Sequence, residues 1–196
     1  VQTLNNLRAV DSGFSEDGVL VADVGARREG LSGPALLAFY DSLLERVRAL
    51  PGVASASLSS NLPLSGSSSS QAVVPVGQVL PENDNALVVN VMPQFFETLG
   101  TRLLTGRDVA ETDVGPVSVA LVNEAFVARH FAGRAPLGEG LMSRKQPEGA
   151  IEVVGVVEDA VGNSLRAPPR PTIYYPYAQR VASGVFIFNT TLSVRV

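Results

Sequence analysis

The sequence predicts an α+β fold with two lobes, and three observations lead to that prediction. A helix flanked by two strands lies near the N-terminus, over residues 19–58. Several short apolar strands and short helices follow over residues 72–158. Loops rich in proline, glycine or serine, residues 62–70 and 167–171, bound that middle part of the chain. From the residues alone, these loops fit an inserted lobe and two sequential domains equally well.

The clearest element is a helix predicted over Pro34–Leu50. Its apolar side chains recur at the three-and-four spacing of one helical stripe, and Pro34 suits a first helical turn. The stripe consists of Leu36, Leu37, Tyr40, Leu43, Leu44, Val47 and Leu50. Strands are expected on both sides, at Val19–Val24 and Val53–Leu58. The segment is therefore a β-α-β unit whose helix packs on one face of a sheet.

A second helix is predicted to begin at Asn123. Asparagine is a good N-cap, Glu124 suits the positive end of the helix dipole, and Gly133 suits the chain reversal that follows. A shorter helix is expected over Pro93–Leu99, ending at Gly100. The remaining predicted strands are Ala72–Val76, Ala86–Val91, Val117–Val122, Ile151–Glu158 and Thr190–Val196.

Composition excludes several classes of protein. The chain has 196 residues, is 45% apolar and carries a net charge of −4, which supports a globular module and argues against nucleic-acid binding. It has no cysteine, which excludes a disulfide scaffold, a thiolate zinc site and a cysteine nucleophile. No apolar run approaches the roughly 18 residues of a membrane-spanning helix.

The sequence offers no candidate catalytic residue, no cofactor-binding residue and no metal ligand, so the chain is expected not to be an enzyme. It contains no Walker A motif and no Gly-x-Ser-x-Gly elbow, and Gly138-Glu139-Gly140 lacks the context of a dinucleotide fingerprint. His130 is the only histidine, which rules out a multi-histidine metal site. Its position near the end of the second helix favours a structural role.

Two charged features of residues 107–113 are also predicted to have structural roles. Asp108, Glu111 and Asp113 form the densest acidic group, but their spacing does not match a calcium-binding loop, so a solvated turn-rich connection is preferred. Arg107 is predicted to hold neighbouring carbonyls or a carboxylate through its planar fork rather than to contact a partner.

Six short motifs follow one another along the chain. They are Arg48-Ala49-Leu50-Pro51-Gly52-Val53, Leu104-Thr105-Gly106-Arg107-Asp108, the strand and helix of residues 117–131, Pro136-Leu137-Gly138, the strand of residues 152–159, and the proline- and tyrosine-rich residues 168–179. The series resembles the periplasmic core domain of MacB-like and FtsX-like ABC transporter permeases, most closely the orphan permeases of acidobacteria. The resemblance extends from Asp11 to Val196.

The resemblance implies how the two lobes are connected. A porter-like β-α-β lobe would comprise residues 1–62 and 170–196, and a mixed α/β, sabre-like lobe would be inserted as residues 63–169. It also implies a longer protein, with one transmembrane helix before Val1 and three beyond Val196. The domain itself would then be the periplasmic part of an inner-membrane protein.

The function implied by the resemblance is mechanical. Such a domain would couple ATP hydrolysis in the cytoplasm, through transmembrane helices, to efflux or to the handling of lipoproteins or partners in the periplasm. The implied partners are the ATP-binding subunit, a second permease unit and a periplasmic adaptor or cargo protein, with no nucleic acid and no cofactor. The alternatives are a periplasmic ligand-binding module with a cleft between its lobes and, third, a hydrolase whose active-site residues are not adjacent in the sequence.

Overall fold

The computed structural model describes residues 13–15, 17–25, 30–65, 68–80, 82, 85–114, 118–144, 146–161, 167–187 and 189–196, with the backbone alone for residues 146–150. Within these ranges the chain forms eleven strands and four helices. The strands are β1 (Val19–Asp23), β2 (Ser55–Ser59), β3 (Ser69–Gln71), β4 (Val73–Pro75), β5 (Ala86–Val91), β6 (Leu103–Gly106), β7 (Ser118–Asn123), β8 (Gly140–Ser143), β9 (Gln146–Val157), β10 (Thr172–Pro176) and β11 (Thr191–Arg195). The helices are α1 (Gly33–Arg48), α2 (Phe95–Leu99), α3 (Glu124–His130) and α4 (Tyr177–Ala182).

All eleven strands belong to one mixed sheet, which confirms the predicted α+β class. The main order is β1-β11-β2-β5-β10-β7-β9-β8-β4, while β3 pairs with β5 and β6 pairs with β9. The pairs β5–β10 and β7–β9 are parallel, and the other pairs are antiparallel. Among the described residues, no helix is long and apolar enough to cross a membrane.

The predicted β-α-β unit is present, with a strand inserted into it. Both β1 and β2 pair antiparallel with β11, so they run parallel to each other on either side of the last strand of the chain. On α1, the buried residues Leu36, Tyr40 and Leu44 follow the predicted stripe and pack with Ala56 and Leu58 of β2. The stripe is shorter than predicted, because α1 ends at Arg48 and Leu50, beyond that end, is 56% exposed.

The central strands bury both of their faces. On one face, Ile173 and Tyr175 of β10 pack in a cluster that includes Phe126 of α3. On the other face, Tyr174 packs with Phe95 and Phe96 of α2. This two-sided burial matches the continuous apolar character of strands in parallel arrangements.

Strands β6 and β10 and helix α4 were not predicted, and two further segments differ from the prediction. Ser69 and Ser70, expected in a mobile loop, form β3 with Gln71 and pair with Leu87 and Val88 of β5. Strand β9 begins at residue 146, five residues earlier than the predicted start at Ile151. Residues 66–67 and Val117, also covered by predicted elements, lie outside the described residues. The division into residues 1–62 with 170–196, and 63–169, stays a prediction.

Candidate functional site

The sheet has a narrow connection between β2 and β5. In the described ladder between these strands, Ser59 lies opposite Val91 and is the one paired position. Two bonds flank it, from Ser60 N to Asn90 O at 2.9 Å and from Met92 N to Leu58 O at 2.8 Å. We call this connection the seam. It joins a small half (β1, β2, β11 and α1) to a large half made of the other eight strands and the helices α2, α3 and α4.

A cleft of about 570 Å³ lies beside the seam, between α1 and the connection that follows β6. Its floor includes Val91 and Pro176, the last residues of the parallel strands β5 and β10. Ligand sites in α/β sheets often lie at the carboxyl ends of parallel strands, where side chains from several connections converge. This cleft is therefore the candidate functional site. Its walls carry three carboxylates, Asp41, Glu45 and Glu111, and one guanidinium, Arg48.

Arg48 connects the α1 wall of the cleft to the seam through hydrogen bonds. Its Nε and Nη2 donate to Ala56 O of β2 at 3.0 and 2.7 Å, and Nη2 also donates to Pro93 O, just beyond β5, at 3.1 Å. One side chain thus links α1 to both sides of the seam. Partial burial lowers the pKa of Arg48, and the charge of Glu111 opposes that effect. The guanidinium stays charged at neutral pH, because arginine is effectively always protonated in proteins.

The opposite wall is the connection after β6 that carries Asp108, Glu111 and Asp113, which we call the acidic connection. Arg107 fixes its conformation. Nη1 and Nη2 donate to Asp113 Oδ2 and Oδ1, both at 2.8 Å, and Nη1 also donates to Asp108 O at 3.0 Å. Ala110 N donates to Asp113 Oδ2 at 2.8 Å. Burial alone would raise the pKa of Asp113, but these bonds outweigh it and hold the pKa below its ordinary value. The carboxylate of Asp113 thus stabilises the conformation of the acidic connection.

The start of this connection packs closely on the sheet. Gly106 has a φ of 81°, and a Cβ built there would lie 2.2 Å from Val154 O. A Cβ on Gly155 of β9 would lie 2.4 Å from Arg107 O. Both positions therefore exclude any side chain, because backbone oxygens occupy the space. The Gly-Arg-Asp sequence is a turn that seats the acidic connection against β9.

Like charges face each other across the cleft. The pKa of Asp41 is raised, first by burial and then by the negative charge of Glu111, while Arg48 acts in the opposite direction. Mutual repulsion between Asp41 and Glu111 opposes closure of the cleft unless a cation or a proton lies between them. No group of three or more His, Asp or Glu residues in the described part of the chain is arranged to hold a metal ion.

A family model for the MacB-like periplasmic core domain matches residues 4–196, which is nearly the whole chain. The chain belongs to this family. It is the periplasmic domain of a MacB-like ABC transporter permease, and so the extracytoplasmic part of a membrane protein. No curated protein sequence matches the chain.

Solved structures with the same fold agree with the family. The periplasmic region of MacB from Actinobacillus actinomycetemcomitans is similar with a TM-score of 0.60 at 20% identity, over 100% of this chain and 80% of that one. The extracellular domain of the noncanonic ABC-type transporter YknZ from Gram-positive bacteria gives a TM-score of 0.54 at 15% identity, over 81% and 73%. A domain of a putative permease protein from Porphyromonas gingivalis gives 0.52 at 18% identity, over 79% and 66%.

In this MacB-like domain, residues singled out in the sequence lie in structural positions. Asn123 caps α3 as predicted, since Asn123 Oδ1 accepts from Phe126 N at 3.1 Å, and it also accepts from Thr172 N at 2.8 Å. The ring of His130 packs on Phe126 with 4.5 Å between centroids, and His130 O accepts from Gln78 Nε2. Arg107 holds a carboxylate and a carbonyl, as predicted.

Sequence reasoning missed Arg48 as a residue of the site. Arg48 lies outside the apolar stripe predicted for α1, so the helical spacing alone indicates nothing more than a polar position. The bonds from Arg48 to Ala56 and Pro93 depend on how β2 and β5 approach each other in space. The one available signal was the position of Arg48 in the last turn, where a cation favours the helix dipole.

Proposed function

We propose that this domain transmits movement between the transmembrane part of an ABC transporter permease and events in the periplasm, and that the two halves of the sheet shift at the seam. The single observation that carries the proposal is the one-pair ladder between Ser59 and Val91. The neighbouring strand pairs are longer, with five residue pairs in both β2–β11 and β5–β10, and β7–β10 has two. The seam therefore has the fewest paired positions along the main sheet, and a change of angle between the halves is easiest there.

Two short helices from the large half reach across the seam. Helix α2 follows β5 and packs against β2 and β11, where Arg195 Nε donates to Thr98 O at 2.9 Å. Helix α4 follows β10 and packs against α1, where the rings of Tyr40 and Tyr177 meet edge to face at 5.5 Å. Helix α4 continues directly from β10, and α2 follows β5 after three residues, so a tilt of β5 and β10 would be passed to the small half.

The side chains beneath α2 are small. Ser55, Ser57 and Ser59 of β2 and Ser193 of β11 are all buried. Small side chains interdigitate less deeply than large ones, so this interface resists sliding less than the leucine-rich contact of α1 does. The cleft of about 570 Å³ beside the seam provides the space into which α1 can move.

The test is a distance measurement in the complete permease with its ATP-binding subunit. Spin labels are placed on Ser42→Cys of α1 and Ala128→Cys of α3, which are exposed residues on the two halves. The chain has no cysteine of its own, and cysteines elsewhere in the permease are replaced beforehand. We expect the label-to-label distance to differ between the nucleotide-free and the ATP-bound states.

A matched pair of labels controls for movement within one half. Ser42→Cys with Ala22→Cys of β1 places both labels on the small half, and that distance is expected to stay constant. Equal distances in both nucleotide states for the cross-seam pair would contradict the proposal. In that case the domain would move as one rigid body or would serve only as a docking platform.

A further inference from the structure

A second, smaller cleft lies on the seam itself and has a volume of about 330 Å³. Ser60 and Asn61, which follow β2, line it from the small half. Asn90 of β5 and Arg180 of α4 line it from the other side. Clefts of roughly 300–1,000 Å³ are the size that small organic ligands occupy. This cleft is separate from the candidate site between α1 and the acidic connection.

Arg180 carries a positive charge into this cleft without a carboxylate to balance it. Its Nε is buried and has no hydrogen-bond partner, and no ion pair to Arg180 occurs within the described residues. The guanidinium lies over the ring of Tyr175, 4.5 Å from the centroid. Partial burial of a cation without an anion is costly, so an arginine in this setting is suited to receive an anionic group.

Tyr175 does not supply that negative charge. Burial raises the pKa of Tyr175 to about 12, although the nearby charge of Arg180 lowers it, so the phenol stays neutral near neutral pH. Its ring stabilises the guanidinium only through the cation–π contact. The charge of Arg180 is therefore uncompensated by the tyrosine that it covers.

Asn90 provides an independent observation. Its side chain is 6% exposed, and one end of its carboxamide is bonded to Ser60 Oγ at 3.2 Å. The other end, Oδ1, is buried and has no hydrogen-bond partner among the described residues. Buried polar atoms are almost always bonded, to protein or to a bound molecule. Oδ1 itself can only accept, but turning the carboxamide over lets the Ser60 hydroxyl donate to Oδ1 and leaves Nδ2 free to donate to a ligand. An amide end without a partner and an arginine without an ion pair thus line the same cleft within the described residues.

We propose that this cleft binds a small organic oxyanion, a carboxylate or phosphate group carried on a short apolar chain, with Arg180 as its main contact. A guanidinium bonds both oxygens of such a group through its planar fork. The apolar chain fits because Val88, Val185 and Ile187 also line the cleft. The inference goes beyond the transmission of movement, because binding requires no shift at the seam. A bound oxyanion would contact residues on both sides of the seam.

The experiment is a titration of the 196-residue chain with hexanoate, hexyl phosphate, inorganic phosphate and hexylammonium, followed by calorimetry and by backbone NMR shifts. We expect at least one of the two hexyl oxyanions to bind saturably, to shift the amides of Asn90 and Arg180, and to bind more tightly than inorganic phosphate. The better of the two identifies the headgroup. Hexylammonium, which has the same chain and the opposite charge, is expected not to bind.

Arg180→Gln is expected to weaken binding of the hexyl oxyanion at least tenfold. Arg46→Gln removes the same charge from an exposed position on α1 and is expected to leave binding unchanged. If Arg180→Gln does not fold, Asn90→Asp serves instead, because a carboxylate in the cleft should repel the ligand and weaken binding to a similar extent. Unchanged affinity in the folded Arg180 or Asn90 variant, equal binding of hexylammonium, or no saturable binding of either oxyanion would overturn the proposal.

Discussion

Ser59 and Val91 lie directly opposite each other where β2 meets β5. The flanking bonds run from Ser60 N to Asn90 O and from Met92 N to Leu58 O, so the pair itself is not hydrogen-bonded. In antiparallel strands such pairs bring the two Cα atoms to about 4.5 Å, which is within the range that a disulfide spans. The seam can therefore be locked covalently with two small substitutions.

Ser59→Cys with Val91→Cys should form a disulfide across the seam under oxidising conditions. The bond is expected to raise the free energy of unfolding by about 3 kcal/mol, because it constrains the unfolded chain. In the complete permease it should stop ATP-dependent transport or efflux, and a reducing agent should restore activity. Disulfide formation is checked by mass spectrometry. Full activity of the oxidised permease would show that movement at the seam is not required.

A matched disulfide within the small half controls for this experiment. Val21 of β1 lies opposite Ser193 of β11, and the bonds between Val24 N and Thr190 O and between Val196 N and Gly18 O place this pair in a non-hydrogen-bonded position too. Val21→Cys with Ser193→Cys is expected to form a disulfide and to leave transport unaffected. Loss of activity in this variant would attribute the effect to oxidation rather than to the seam.

Leu44→Ala should destabilise the domain by about 2–5 kcal/mol, because it removes a large side chain from a packed core. The side chain of Leu44 is 2% exposed in the core between α1 and the small half of the sheet. Leu50→Ala is the control, since Leu50 is 56% exposed and lies just beyond the helix. It should change the free energy of unfolding by less than about 0.5 kcal/mol. Urea unfolding monitored by circular dichroism measures both, and similar values would contradict the burial of this stripe.

Gly155→Ala should destabilise the domain by about 1–3 kcal/mol through overpacking. The new Cβ would lie 2.4 Å from Arg107 O and 2.8 Å from Leu121 Cδ2. Gly133→Ala separates this contact from backbone strain, because Gly133 has a φ of 83° and open space around its Cβ position. NMR shifts of the acidic connection should move in Gly155→Ala and stay in place in Gly133→Ala. Unchanged shifts in both would show that the turn does not rest on Gly155.

Local patterns predicted much of the fold because the features that specify these elements are close together in sequence. The stripe on α1 and the cap at Asn123 each depend on residues within one or two helical turns. Strand β3 escaped prediction because its serines have no strand-like composition, and its hydrogen bonds come from Ala86, Leu87 and Val88 of β5. Pairing with a distant strand overrode local preference there.

The candidate site was less predictable for the same physical reason. Its walls come from α1, from the end of β5, from the acidic connection and from the start of α4, which are far apart in the chain. Arg107 could be predicted because its partner Asp113 is six residues away. Arg48 could not, since its partners exist only after the two halves of the sheet have come together. Arg180 could not, since the cleft that it lines also contains Ser60 and Asn90, which are far from it in the sequence.

Asp113→Asn should destabilise the domain at neutral pH and much less in acid. The folded-state pKa of Asp113 lies below its ordinary value, so its contribution is present above the unfolded pKa of about 3.9 and is lost as the pH falls through the folded value. Replacing the charged acceptor of Arg107 should cost about 1–3 kcal/mol at pH 7. Urea unfolding at pH 7 and at pH 3 measures the difference, which should shrink at the lower pH.

Asp108→Asn provides a control of opposite sign for this pH dependence. Burial raises the pKa of Asp108, although the bond from Val109 N to its Oδ1 lowers it, so the charged form of Asp108 costs stability as the pH rises. Asparagine keeps an oxygen acceptor for Val109 N and carries no charge. Asp108→Asn should therefore lose no stability at pH 7 relative to pH 3. An equal loss in both variants at pH 7 would mean that the acidic connection is stabilised by its total charge, and not by the specific pairing of Asp113 with Arg107.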